Sequence, residues 1–516
     1  MGFIDQMKEV ADNEFNVSVT ENGALGYRTS GKHLLNLSYS VSTLRNMSEE
    51  NVVARFCAAF FENKLLALKW LFFAADVREG QGERRLFRAV TRHLAKTEPK
   101  IMEALLPLIP EYTRWDNVIE LIDTRVGASA LELISLQLKR DLSDMEEGKS
   151  VSLLAKWLPS NNASSPKTCG KARTVSKYLG MTNAEYRRTL AKLRAYLDVI
   201  EVKMSASRFG EINYEAVPSC ANVVYRGAFL RNDEERRRAY LGALERGAVK
   251  INASVLYPHD IVHRYFNPIT RYYLTEYDAS LEALWRALPD YVCGASKTLC
   301  VADGSGSMFG PVENTNVSAF SIATALAIYF AERSSGEFKN KYISFSDDPR
   351  IVDLSGGNTL RDKLGIALSY DEVGTTNIEA VFDLILLTAV RSGMKQEDMP
   401  KTLLILSDME FNNAISLNTG RSGVVAKLPR LFELIKARYE SAGYKLPRIA
   451  FWNICSRTGT IPLRENENGV ALIGGFSPTT IKMVLSEELD PYKCLLEQLN
   501  SERYEAVEQA LRDIKL

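Results

Sequence analysis

One stretch restricts the fold more than any other: Thr298-Leu299-Cys300-Val301-Ala302-Asp303-Gly304-Ser305-Gly306-Ser307-Met308. A short apolar run stops at an acidic residue, and two serines then alternate with two glycines. Such a run, bounded by glycine, is the pattern of a strand buried on both faces of a parallel sheet. In sheets of that kind ligands gather outside the carboxyl ends of the strands. Asp303, Ser305 and Ser307 are therefore expected at the edge where chemistry is done. One carboxylate, two hydroxyls and a backbone that glycine lets come close make a nest of hard oxygens suited to Mg²⁺ or Mn²⁺.

The Asp303-x-Ser305-x-Ser307 pattern after a strand resembles the first metal motif of a von Willebrand factor A domain. The resemblance implies two further loops. One carries a Thr, which Gly374-Thr375-Thr376-Asn377 supplies; the other carries an Asp after a strand, which Leu403-Leu404-Ile405-Leu406-Ser407-Asp408 supplies. Thr376 takes the family position, because Gly-Gly-Thr followed by Asn or Asp is usual there; Thr375 replaces the second glycine. The chemistry agrees with the resemblance. Ser305, Ser307 and Thr376 offer neutral oxygens, Asp303 and Asp408 supply charge, and water would complete an octahedral shell. A lone Asp-Gly-Ser-Gly would read as a tight turn; three elements in order point to a metal site.

At 516 residues, two or three domains are expected. Hydrophobic content of 46% and charged content of 25% belong to a globular protein. Lys and Arg number 64 and so do Asp and Glu, so no overall attraction to a polyanion follows and nucleic-acid binding would need a local patch. The seven cysteines are scattered and form no C-x-x-C pair, which argues for a reducing compartment. No secretory leader and no apolar span of about 20 residues is visible. A cytoplasmic monomer with no membrane partner is expected.

Residues 1–32 read as an N-terminal arm: a short helix and then irregular chain. From about Ser48 the pattern turns helical, with Val52, Val53, Phe56, Ala59 and Phe60 at spacings of three and four. Further helices are expected near 65–77, 84–96, 101–106, 115–123, 128–145, 183–204 and 233–248. Short Gly- or Pro-bearing joints suggest stacked helical hairpins, a HEAT-like repeat module over 33–292. The joint Asp76-Val77-Arg78-Glu79-Gly80-Gln81-Gly82-Glu83-Arg84 lacks G-x-x-x-x-G-K and a preceding strand, so it reads as a helix cap and turn rather than a phosphate loop. Residues 160–285 carry about six more basic than acidic groups, and the chain after residue 300 is acidic by about five. A doubly wound α/β domain is expected over 293–485. Its strands fall near 342–345, 403–406, 449–454 and 470–473, and its helices near 317–330, 378–387 and 428–441. Residues 486–516 read as a final charged helix packing on the helical module.

Helical module and A domain together resemble the Ro autoantigen family, whose helical part is the TROVE module. The residues that carry this are Arg78-Glu79-Gly80-Gln81-Gly82-Glu83-Arg84, Tyr112-Thr113-Arg114-Trp115-Asp116, Leu154-Ala155-Lys156-Trp157-Leu158-Pro159 and Glu185-Tyr186-Arg187-Arg188. Ala450-Phe451-Trp452-Asn453 and Gly474-Gly475-Phe476-Ser477 join them. The resemblance implies a ring of helical repeats closed by the A domain, binding small non-coding or misfolded RNA by its single-stranded ends. Chemistry alone nominates the phosphate contacts: Lys167, Lys171, Arg173, Lys177, Arg187, Arg188, Lys192, Arg236 and Arg237.

Enzyme chemistries find little support. An Asp-x-Asp phosphatase needs a second Asp where Ser305 stands. His259 and His263 are four apart, without the Glu of H-E-x-x-H or an evident third zinc ligand. There is no G-x-S-x-G. The reading is a non-enzymatic RNA-binding protein with a divalent-metal site. The alternative is a scaffold that binds a protein partner, whose carboxylate completes the metal's coordination.

Overall fold

Helix Lys64–Ala75 is apolar all round except for Lys64 and Lys69, and all its residues from Ala67 to Ala75 are buried, Lys69 with its amine 2.7 Å from Glu508. A helix hydrophobic all round belongs in the middle of a core, and the neighbouring elements build on it. Arg84–Thr97 buries one face: Leu86, Phe87, Ala89, Val90, Thr91, Leu94 and Ala95. Phe72 meets Phe87 and Tyr112 edge-on at 5.6 and 5.2 Å. The joint after Lys64–Ala75 caps that helix: Gln81 N–H bonds Phe73 O at 3.1 Å and Glu83 N–H bonds Ala74 O at 2.7 Å. A second core of Ile200, Ile212, Tyr214, Val217, Phe229 and Tyr240 lies later in the same helical unit.

The computed structural model describes residues 16–266, 273–292, 297–312, 315–345, 347–370, 374, 376–412, 431–462, 470–485 and 490–516, with 3, 4 and 7. Contacts divide the chain into two units. One is Glu49–Ala54, Lys64–Val255 and Asn500–Leu516, and it is helical; the other is Met1–Ser48, Arg55–Asn63 and Leu256–Leu499. Among the described residues no helix is long and apolar enough to cross a membrane.

The second unit holds a two-stranded ladder, β1 (Ser18–Val19) and β2 (Leu25–Gly26), and a six-stranded mixed sheet. The sheet strands are β3 (Thr298–Asp303), β4 (Lys341–Phe345), β5 (Pro349–Asp353), β6 (Thr402–Ser407), β7 (Arg448–Asn453) and β8 (Val470–Gly474). Their order is β5-β4-β3-β6-β7-β8, parallel except for β5, which pairs with β4 as an antiparallel hairpin. β6 and β8 are buried at every residue, as a sheet covered on both faces requires. Helix Ala319–Arg333 is buried from Ala319 to Ala331.

These units correct the expected boundaries at 32, 292 and 485. Residues 16–48 and 256–292 belong with the sheet. Asn453 Nδ2 donates to Tyr39 O at 3.1 Å, and Ser42 Oγ donates to Asn453 O at 3.1 Å. Gly474 lets the chain come this close, since a Cβ there would meet the Ser38 and Tyr39 carbonyl oxygens. The single terminal helix is also corrected. It breaks at the polar pair Asn500-Ser501, so Pro491–Leu499 belongs to the sheet unit and Asn500–Leu516 to the helical one. There Arg503 Nε bonds Asp76 Oδ2 at 2.8 Å and Tyr504 stacks on Tyr112 at 5.8 Å.

Candidate functional site

Chain order places β3 and β6 side by side, with β4 and β5 beyond one and β7 and β8 beyond the other. Strand order reverses between them, and in sheets of this kind ligands bind past the carboxyl ends at such a switch point. β3 ends on Asp303; β6 ends on Ser407, and Asp408 follows. The register pairs Ala302 with Leu406, so the next residues meet: Ser407 Oγ donates to Asp303 Oδ2 at 2.5 Å. Ser305 N–H donates to the other carboxylate oxygen at 2.9 Å, and the Ser305 and Ser307 hydroxyls are 3.1 Å apart. The Ser307 side chain also hydrogen-bonds Asp408. Asp303, Ser305, Ser307 and Asp408 thus form one cluster, with both carboxylates buried.

Thr376 stands in the adjoining loop. Gly306 N–H bonds Gly374 O at 3.4 Å, tying that loop to the serine loop. Thr376 N–H donates to Asn412 Oδ1 at 3.3 Å, and Asn412 N–H returns to Thr376 O at 2.9 Å. Its hydroxyl accepts from Asn22 Nδ2 at 3.4 Å. Thr375 lies outside the described residues.

Two carboxylates in so dry a place disfavour one another's charge. Burial, and then the neighbouring Asp408, push Asp303 up to about 7; the Ser407 and Ser305 hydrogen bonds pull the other way. Burial also raises Asp408, against the pull of Ser307 and of the Arg457 guanidinium, whose Nη2 is 3.3 Å from Oδ2.

Four residues here escaped the sequence reading: Arg457, Glu21, Asn22 and Glu410. Arg457 pairs with Glu21 as well as Asp408. Fully buried Glu410 accepts from the backbone N–H groups of Glu21, Arg457 and Thr458 at 2.8, 2.8 and 2.9 Å. Asn22 Nδ2 donates to Glu410 O at 2.6 Å. One signal was legible: Asp408-Met409-Glu410 repeats an acid just past the strand, about where a β6 loop would turn.

The nominated basic residues separate into three groups. Lys167, Arg173, Lys177, Arg187, Arg188 and Lys192 are exposed on two consecutive helices, Pro166–Tyr178 and Asn183–Tyr196, and none is ion-paired among the described residues. Arg236 is exposed, but its fork holds the carbonyls of Phe209 and Ile212 and the Asp233 carboxylate. Lys171 and Arg237 are corrections, because neither can reach a phosphate. Lys171 is buried against Glu120 at 2.9 Å, and Arg237 is buried among the rings of Tyr214, Phe229 and Tyr240 at 5.0 to 5.3 Å.

His259 packs between Tyr257 and Phe476, and burial lowers it to about 4, so its imidazole is neutral. Among the described residues no three His, Cys, Asp or Glu side chains are grouped as metal ligands; the β3–β6 cluster joins two carboxylates to hydroxyls instead.

The fold is thus a helical unit joined to a unit built on a mixed six-stranded sheet, with an oxygen-rich cluster at the sheet's switch point. Two stretches match family models: residues 129–292 a domain of unknown function (DUF2828), and residues 297–513 a domain of unknown function (DUF7788). An uncharacterized protein of Acanthamoeba polyphaga mimivirus is 28% identical over 525 residues, covering 94% of this chain and 87% of the relative.

Proposed function

We propose that the chain is a cytoplasmic, non-enzymatic RNA-binding protein of Ro-like kind, whose sheet unit is a von Willebrand A-type domain for Mg²⁺ or Mn²⁺. The observation that carries the RNA reading is the set of six exposed cations on two consecutive helices, none of them within ion-pair distance of a carboxylate among the described residues. Positive side chains outnumber the exposed Glu185 on these two helices, and flexible positive charge suits a phosphate backbone. The free cysteines among the described residues suit a reducing setting.

The donor set fits a hard divalent ion. Asp303, Ser305, Ser307, Thr376 and Asp408 would hold it with two carboxylates and three hydroxyls. Burial disfavours both carboxylate charges at once, and a bound cation relieves that cost. The ion would supply a coordination position for an oxygen from a partner. Half-exposed Ser307 leaves the rim of the cluster within reach of solvent, which favours a second reading: a protein partner whose carboxylate completes the coordination.

The deciding test is to extract and sequence whatever absorbs at 260 nm in the purified chain. Small RNA released by high salt and retained in chelator supports the proposal. Clean protein that also ignores added single-stranded RNA refutes it, and partner capture that a chelator abolishes would then carry the second reading.

A further inference from the structure

One side chain joins the turn between β1 and β2 to the β3–β6 cluster. Arg457 Nη2 lies 3.3 Å from Asp408 Oδ2, and the same nitrogen pairs with the Glu21 carboxylate. The Asp408 side chain is fully buried, whereas those of Arg457 and Glu21 are 41% and 55% exposed. One acceptor fixes the main chain of both outer residues: Glu410 takes the N–H of Glu21 on Oε2 and that of Arg457 on Oε1, each at 2.8 Å. The turn is held there further. Thr20 Oγ1 donates to Phe411 O and Asn22 Nδ2 to Glu410 O, both at 2.6 Å, and Gly23 bridges to Asn412. Arg457 thus has a pinned backbone and a head group at the surface, between two carboxylates that a single nitrogen serves.

Among the described residues Arg457 is the one cation in ion-pair contact with the cluster's two carboxylates. A buried charge without compensation is costly, so the guanidinium is the cluster's own counter-charge. A divalent ion held by Asp303, Ser305, Ser307, Thr376 and Asp408 would add a second positive charge at the same carboxylate, and the two would repel. The guanidinium is the one with somewhere to go, because Glu21 already touches it.

We propose, on the metal reading of this cluster, that Arg457 is a displaceable counter-charge: it gives up Asp408 when a divalent ion binds and passes wholly to Glu21. Occupancy of the cluster is thereby transmitted to the N-terminal turn, and by linkage the turn sets the cluster's affinity for the ion. Arg457 and Glu21 stand outside the five donors, so both are positioning residues rather than ligands.

The full chain and its Arg457→Gln, Glu21→Gln and doubly substituted variants should be titrated calorimetrically with Mg²⁺ and Mn²⁺. Arg457→Gln removes the competitor and should tighten binding about fivefold or more. Glu21→Gln leaves Arg457 to Asp408 alone and should weaken binding, but the same change should have little effect once Arg457 is Gln. A Glu21 that acted only as a distant charge would weaken binding equally in both backgrounds. Hydrogen exchange gives a readout apart from affinity: Mg²⁺ should slow exchange at residues 20–24 of the parent, and that slowing should be lost in Arg457→Gln. Equal affinities across the four proteins, or an equal Glu21 effect in both backgrounds, overturn the proposal and leave the metal site standing. If none of the four binds either ion, the metal reading itself fails and the proposal falls with it.

Discussion

If the six exposed cations of the Pro166–Tyr178 and Asn183–Tyr196 helices contact RNA, the salt dependence of binding is set by their number. Each phosphate neutralised on a single strand contributes about −0.7 to the slope of log K against log salt. Six contacts give a slope of about −4, so affinity should fall about 300-fold between 50 and 200 mM salt. Replacing Arg187, Arg188 and Lys192 together by Ala should halve the slope to about −2 and shrink that loss to about 20-fold. The fold should tolerate the change, because these side chains are exposed and lack ion-pair partners among the described residues, and such substitutions usually cost within about 0.5 kcal/mol. Lys171→Ala and Arg237→Ala are the controls. Both side chains are buried, so they should lower stability and leave the slope alone. Fluorescence anisotropy of a labelled single-stranded RNA across a salt series reads all four proteins. An unchanged slope in the triple variant, or a parent slope shallower than about −1, would refute the phosphate-contact argument.

Three other expectations concern the β3–β6 cluster. Calorimetry should show Mg²⁺ or Mn²⁺ binding in the parent and none in Asp303→Ala; equal binding in both would move the site elsewhere. In EDTA, Asp303 titrates between an unfolded value near 3.8 and a folded value of about 7. The folded state therefore binds the extra proton, and the parent should lose stability relative to Asp303→Asn as pH rises from about 4 to about 7. Saturating Mg²⁺ should abolish that relative loss, and a flat difference in EDTA would contradict the burial argument. Glu410→Gln places an amide NH₂ among N–H donors in a fully buried position, so urea denaturation should show a loss of about 2–4 kcal/mol. A loss below about 0.5 kcal/mol would mean that the Glu410 hydrogen bonds do not hold these segments together.

Legibility followed the kind of burial each residue has. β3, β6, β7 and β8 are buried on both faces, so their sequences are nearly unbroken apolar runs that need no knowledge of their neighbours. β5 escaped notice because it is a five-residue edge strand opening on Pro349, with Ile351 exposed. Proline is tolerated there and signals a turn as readily as a strand. The basic residues failed for another reason. In Arg236-Arg237-Arg238, Arg237 lies three and four positions before the buried Tyr240 and Leu241, which puts it on the apolar face of the Glu234–Glu245 helix. Lys171 likewise precedes buried Val175 by four. Helical spacing alone would have separated these two from their exposed neighbours, had charge not been read as exposure.

The N-terminal arm is the harder case, and it bears on the site. Residues 16–27 show no apolar period, and beyond the local β1–β2 ladder their order comes from partners hundreds of positions away: Thr20 Oγ1 on Phe411 O at 2.6 Å, Asn22 on Glu410 O, and Glu21 on Arg457. None of these contacts leaves a local pattern, because each joins a polar side chain to a backbone group or an ion whose place is fixed by the sheet. Their effect converges on one residue. Arg457 is shared between Glu21 and the buried Asp408, so the arm competes for a cation that tempers Asp408's charge. The sequence motif names the carboxylates and hydroxyls of the cluster, but their electrostatic balance depends on a segment that the motif does not contain. A site read only from its three loops would keep the carboxylates and lose the groups that set their charge.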